Sequence, residues 1–120
     1  MIKFTLKELV PMVDSIDILL SIKLQAKDAY MLSLAAGKLR QKFDAYEIDR
    51  QNLVKKYGDL LQTENVIRVK PENMATFQNE LEGLLSQTVE LMVEPISVDS
   101  LGDNKMTAKD MAILAPFFKA

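Results

Sequence analysis

Four carboxylates, Glu80, Glu82, Glu90 and Glu94, stand close together in the chain and are the side chains with the means to hold a hard divalent cation. If 89–94 is a strand, Glu90 and Glu94 project from one face of it, because side chains two and four apart share a side. They lack the spacing of a known cation loop, so the wet face of a half-buried strand is the simpler reading. The segment DSLGDN at 99–104 has Asp and Gly but neither the alternating ligands nor the closing Glu of a calcium loop, and it reads as a turn.

The cations Lys38, Arg40, Lys42, Arg50, Lys55 and Lys56 are the next candidate, as a face for nucleic acid. Asp44, Glu47 and Asp49 are interleaved with them. At about 100° per residue Asp49 lies on the same side as Lys38, Lys42 and Lys56, which describes a solvated mixed-charge helix face. The six serines sit in no G-x-S-x-G or phosphate-loop pattern. The chain contains neither histidine nor cysteine, which removes Ser-His and Cys-His arrangements, thiol chemistry, thiolate metal sites and disulfides. Redox compartment is therefore undetermined. A hydrolase built on carboxylates would need a concave cluster of Asp and Glu that the spacing does not provide, so the expectation is no enzyme, no cofactor and no metal.

The remaining set is Tyr46, Arg50 and Tyr57, which belong to a longer pattern. Ala29, Leu32, Ala36, Leu39, Phe43, Tyr46, Arg50, Leu53 and Tyr57 follow a 3,4 repeat with only Arg50 polar, the signature of one helical face. The residues from Leu32 onward, namely Leu32, Ala36, Leu39, Phe43, Tyr46, Arg50, Leu53 and Tyr57, form a candidate helix–helix interface. Arg50 is out of place there: either it pairs with Glu47 three residues earlier or snorkels past the seam, or it crosses an interface to a carboxylate and fixes register. The first is preferred. The small residues Ala29, Ala35, Ala36 and Gly37 suit close approach of another helix, although Gly37 costs about 1 kcal/mol of helix propensity.

The elements that position these residues follow from periodicity and punctuation. Ile2-Lys3-Phe4 alternates as a short strand, and Thr5-Leu6-Lys7-Glu8 is a capping box. Leu6, Leu9, Val13, Ile16 and Leu20 share a helical face. Pro11 means that this helix either kinks or starts with Pro11 in its first turn, and the sequence does not decide. After a break at 21–25 the long helix runs from about 25 to 57, about 50 Å at ~1.5 Å per residue. It ends in RQNLVKKYG, where Lys55 and Lys56 meet the negative end of the dipole and Gly58 is expected in the left-handed conformation.

Residues 59–65 read as a polar connection and 66–70 as a β-branched strand. Pro71-Glu72-Asn73 opens a helix with Met74, Phe77, Leu81, Leu84 and Thr88 inward. Val89, Leu91 and Val93 then alternate with Glu90, Met92 and Glu94 as a strand ended near Pro95. If strands 66–70 and 89–94 were parallel neighbours, the helix between them would be a right-handed crossover. Residues 97–105 form a loop, and Thr107 starts a short last helix that stops before Pro116. The expected class is α+β and helix-dominated: one long central helix packed with shorter helices and a small two- or three-stranded sheet, in a single domain spanning 1–120.

With 48% hydrophobic and 27% charged residues, the 120-residue chain has enough apolar material for a core without staples, and is expected to be soluble and globular. Trp is absent and aromatics are limited to five Phe and three Tyr, so Leu, Ile, Val and Met must fill that core. A net charge of −2 offers no general attraction to phosphate backbones. MIKFTLKELV lacks a signal-peptide core, and the run AYMLSLAAG at 29–37 is far below the ~20 residues that span a bilayer. Neither nucleic acid nor membrane is expected as a partner.

Five stretches together resemble one family: AKDAYMLSLAAGKL at 26–39, RQNLVKKYG at 50–58, VKPENMATFQNEL at 69–81, VELMVEPI at 89–96 and TAKDMAILAPF at 107–117. They are similar to a group of small uncharacterised proteins of tailed bacteriophages and prophages, in the same order and over most of the chain. The group differs in having a Gly-containing acidic turn where this chain has DLLQTEN, and often Pro in place of Gln25. The resemblance implies a viral origin and transfers no catalytic or binding residue. The expected role is a non-enzymatic virion or assembly component working by protein–protein contact, oligomeric through the long helix, with itself and other phage proteins as partners, located in the virion or host cytoplasm. The alternative is a host-directed protein that binds and modulates one bacterial target.

Overall fold

The chain begins as a strand because Ile2 and Phe4 alternate with Lys3, and both apolar residues turn inward and are buried. A computed structural model describes residues 1–61 and 66–119, with the side chains of 59–61, 66 and 67 outside that description. Strand β1, Ile2–Thr5, pairs antiparallel with β4, Thr88–Leu91, setting Phe4 opposite Val89 and Ile2 opposite Leu91 on the buried face. On the other face Lys3 meets Glu90 at 3.3 Å. Thr5 then ends the strand and caps α1, Leu6–Leu20. The Glu8 amide donates to Thr5 Oγ1 and the Thr5 amide donates to Glu8 Oε1, both at 3.3 Å, so two otherwise orphaned donors are satisfied reciprocally.

Helix α1 starts five residues before Pro11 and runs through it, so the alternative start at Pro11 is not adopted. Pro11 deprives the Lys7 carbonyl of its i+4 donor, and it is tolerated on the exposed side of the helix where water can serve. Leu6, Leu9, Met12, Ile16 and Leu19 are buried. Leu20, expected inward, is 43% exposed, and Val13 is only partly covered, because the 3.6-residue period carries the buried stripe to Met12 and Leu19.

Helix α2 spans Ala26–Tyr57, with Gln25 at its N-cap, and its 32 residues set the long dimension of a molecule measuring 51 × 28 × 23 Å. It packs against α1 along its first half and against α3, Met74–Leu85, along its second. Gly58 is not left-handed: its φ of −112° and ψ of 168° are extended, and it opens β2, Gly58–Leu61. The helix stops there because the Tyr57 carbonyl accepts from the Lys70 amide at 3.1 Å and from Asn73 Nδ2 at 3.3 Å, so donors from later in the same chain replace a glycine cap. Strand β2 pairs antiparallel with β3, Val66–Val69. Residues 59–61, read as polar connection, are thus strand, while 62–65 lie outside the described residues. The parallel pairing of 66–70 with 89–94 does not occur, since β3 is bound to β2 and β4 to β1.

After β3, Pro71–Asn73 makes one 3-10 turn and leads into α3. Phe77, Leu81 and Leu84 of α3 are half-buried as its inner face requires, whereas Met74 is exposed and Thr88 belongs to β4 with its side chain outward. Beyond β4, β5 at Ile96–Ser97 pairs in parallel with β6 at Phe118–Lys119. The DSLGDN stretch is a 3-10 turn closed by Gly102 at φ +55°, the left-handed position that favours glycine. Helix α4, Ala108–Ile113, is capped by Thr107, whose Oγ1 accepts from the Asp110 amide at 3.1 Å. Buried Ser15 of α1 donates to Asp110 Oδ1 at 3.3 Å and ties α4 to α1. Phe4 and Phe117 meet at 6.4 Å within the core. The fold is α+β and helix-dominated: a long central helix, shorter helices and, among the described residues, three two-stranded sheets rather than one sheet.

Candidate interaction surface

The residues singled out for metal chemistry are dispersed. Glu90 pairs with Lys3, Glu94 lies 3.5 Å from the Met1 amino nitrogen, Glu80 pairs with Lys56 at 3.4 Å, and Glu82 is exposed on α3. Among the described residues no group of three or more acidic, His or Cys side chains converges as a metal site. Of the cations, Arg40 meets Asp17 of α1 at 2.6 Å, Arg50 pairs with Glu47, and Lys56 adds a position over the Tyr57 ring at 5.1 Å. Three of the six cations are therefore engaged by carboxylates, and Lys38, Lys42 and Lys55 stand on a helix interleaved with Asp44, Glu47 and Asp49. A surface depression of about 380 Å³ lies where α2 passes β4, with Leu6, Tyr46 and Val89 at its floor and Lys42, Asp49 and Glu90 at its rim.

The 3,4 seam of α2 faces the chain's own interior over its first two thirds. Leu32, Ala36, Leu39 and Tyr46 are buried, together with Ala35, in one hydrophobic cluster with the inward residues of α1, β1 and β4. Phe43, Arg50, Leu53 and Tyr57 are half-buried toward the distal half, and Ala29 is exposed. Phe43 and Tyr46 stack at 6.0 Å with 15° between their planes. Arg50 donates from Nε and Nη2 to the two Glu47 carboxylate oxygens, each at 3.0 Å, a bidentate pair. That bond pulls the Glu47 pKa below the ordinary carboxylate value and pushes Arg50 higher. The Tyr46 hydroxyl is pushed up by burial, with the Arg50 charge opposing and the Glu47 charge assisting. Arg50 is thus occupied within its own helix, and the buried members of the seam are closed to any second chain.

A different stripe of α2 faces outward, and the seam reading passed over it. Tyr30 is 65% exposed, Leu34 39% and Ile48 61%. Gly37, Gln41, Ala45 and Asn52 are exposed between and beyond them. The spacing 30, 34, 37, 41, 45, 48, 52 is itself helical, and no member carries a charge. A side-chain carbon built at Gly37 would meet nothing within 4 Å, so that turn of the helix is open. Met92, 71% exposed, borders the stripe beside Lys38 and Gln41, and Met1 stands next to it beyond the β1–β4 pairing. The available sequence signal was a second 3,4 repeat opposite the first, masked because four of its seven members are Gly, Gln, Ala and Asn. Among the described residues, no helix is long and apolar enough to cross a membrane. No family model, curated protein or solved structure matches the chain.

Proposed function

We propose that this is a non-enzymatic protein acting through protein–protein contacts, as a virion or assembly component of a tailed bacteriophage, with other phage proteins and itself as partners. The observation that carries the contact reading is the outward stripe of α2. Single exposed apolar residues are ordinary, but Tyr30, Leu34 and Ile48 are aligned along one helix face with uncharged residues between them and Met92 alongside. The phage setting draws its support from the resemblance of the five sequence stretches to phage and prophage proteins. The alternation of acids with bases along α2, with Arg40, Arg50 and Lys56 already paired to Asp17, Glu47 and Glu80, fits a protein partner better than a polyanion.

The test is mass spectrometry of purified particles and assembly intermediates, with the native chain and with Ile48→Asp. Ile48 is exposed, so the substitution is expected to leave stability within about 0.5 kcal/mol while placing a charge in the stripe. The chain should be found in particles or intermediates and its occupancy should fall several-fold in the variant. Absence from both, with a bacterial protein recovered instead, would replace this reading by the host-directed one.

A further inference from the structure

The outward stripe of α2 has a symmetry of its own. Leu34 and Ile48 lie equally far from Gln41 along the helix, and so do Gly37 and Ala45, and Tyr30 and Asn52. An apolar residue is thus matched with an apolar one, a small one with a small one, and a phenol with an amide. On one flank of the stripe, Arg40 and Asp44 are exposed, opposite in charge and four residues apart, with their midpoint within one residue of Gln41. A surface whose two halves complement each other about one point suits a two-fold contact between identical chains, in which residue i meets j and j meets i.

The geometry points to a second copy of this chain as the occupant: the outward stripes of two α2 helices pack antiparallel about a two-fold axis passing beside Gln41. This rests on the contact reading above and names its partner. In that arrangement each residue of the stripe meets the one equally far on the other side of Gln41, and like flanks meet, with Arg40 and Asp44 of the two copies about 3 Å apart along the axis at ~1.5 Å per residue. Leu34 of each copy packs on Ile48 of the other. Gly37 faces Ala45 twice, which lets the helix axes approach to the near end of the usual 8–10 Å. Arg40 and Asp44 form two reciprocal cross-chain pairs. Arg40 can keep its Asp17 contact while doing so, because the guanidinium carries five donors. A parallel arrangement would instead set Leu34 on Leu34 and forgo the reciprocal pairs. The stripe from Tyr30 to Asn52 is about 33 Å long at ~1.5 Å per residue, and Met92 widens it on the other flank at the level of Lys38 and Gln41.

The absence of cysteine from the chain makes the register directly readable. Facing positions of closely packed helices fall within the Cα separation of about 4.4–6.8 Å that a disulfide needs, whereas Leu34 of one copy lies about 21 Å along the axis from Leu34 of the other. Under mild oxidation Gln41→Cys should link to itself at least tenfold faster than an exposed control, Glu72→Cys. Leu34→Cys mixed with Ile48→Cys should give the mixed dimer, and each alone should link no faster than the control. Self-linking of Leu34→Cys and of Ile48→Cys would show a parallel pair and overturn the proposal. Control-level linking at every position would overturn it too. If that occurred while Ile48→Asp still lowered particle occupancy, the contact reading would stand with a different partner.

Discussion

Arg50 is the one polar member of an apolar repeat, and its bidentate bond to Glu47 explains its presence without a second chain. Both side chains remain about a third exposed, so the pair stabilises by only about 0.3–0.5 kcal/mol, as ion pairs within one helix do. Glu47→Gln should cost about that much at pH 7 in urea unfolding. Because the folded-state pKa of Glu47 is lowered, its contribution is fully present above the unfolded value near 4.5 and is lost as pH falls through the folded one. The difference between native and Glu47→Gln proteins should therefore vanish in the acid range, and a pH-independent difference would mean that the carboxylate charge is not the cause. Arg50→Leu should leave self-association unchanged, since Arg50 faces away from the outward stripe.

At the scale of elements, the joint between β1 and α1 is made by two side chains, Thr5 and Glu8. Thr5→Ala leaves the Glu8 amide unserved and should lower unfolding free energy by about 1 kcal/mol, with Thr5→Ser recovering most of it. A loss below about 0.3 kcal/mol would show the cap to be redundant with solvent. This joint was legible in the sequence because capping is local, and so were the long helix, the short last helix and the alternation of Val89 and Leu91, although the strand expected to reach 94 ends at Leu91 and Val93 is buried from a bend beyond it. Strand partners were not. Residues 58–61, Gly-Asp-Leu-Leu, contain no β-branched residue, so nothing local marks them as the strand that claims β3. Gly58 misled for a related reason: its type permits a left-handed cap, but capture of the Tyr57 carbonyl by Lys70 and Asn73 made that cap unnecessary. The seam's repeat was legible, whereas the side of the helix left open depended on which face α1, β4 and α3 would cover.

The whole molecule is elongated. Its radius of gyration is 17.6 Å, against about 14 Å expected for a compact domain of this length. The fully buried core gathers on the first two thirds of α2, from Leu32 to Tyr46, while the distal third meets α3, which has no fully buried residue. Helix α2 reaches along most of the 51 Å axis, and the elements packed on it leave the face from Tyr30 to Asn52 exposed. The central claim is that a second copy does so, and light scattering over a concentration series of native and Leu34→Asp proteins tests it most directly. The native chain should rise from 13.6 kDa toward twice that mass with concentration, and the variant should stay at 13.6 kDa while its far-ultraviolet circular dichroism remains that of the folded native chain. A native mass of 13.6 kDa at every concentration, or a dimer indifferent to Leu34→Asp, would contradict the account.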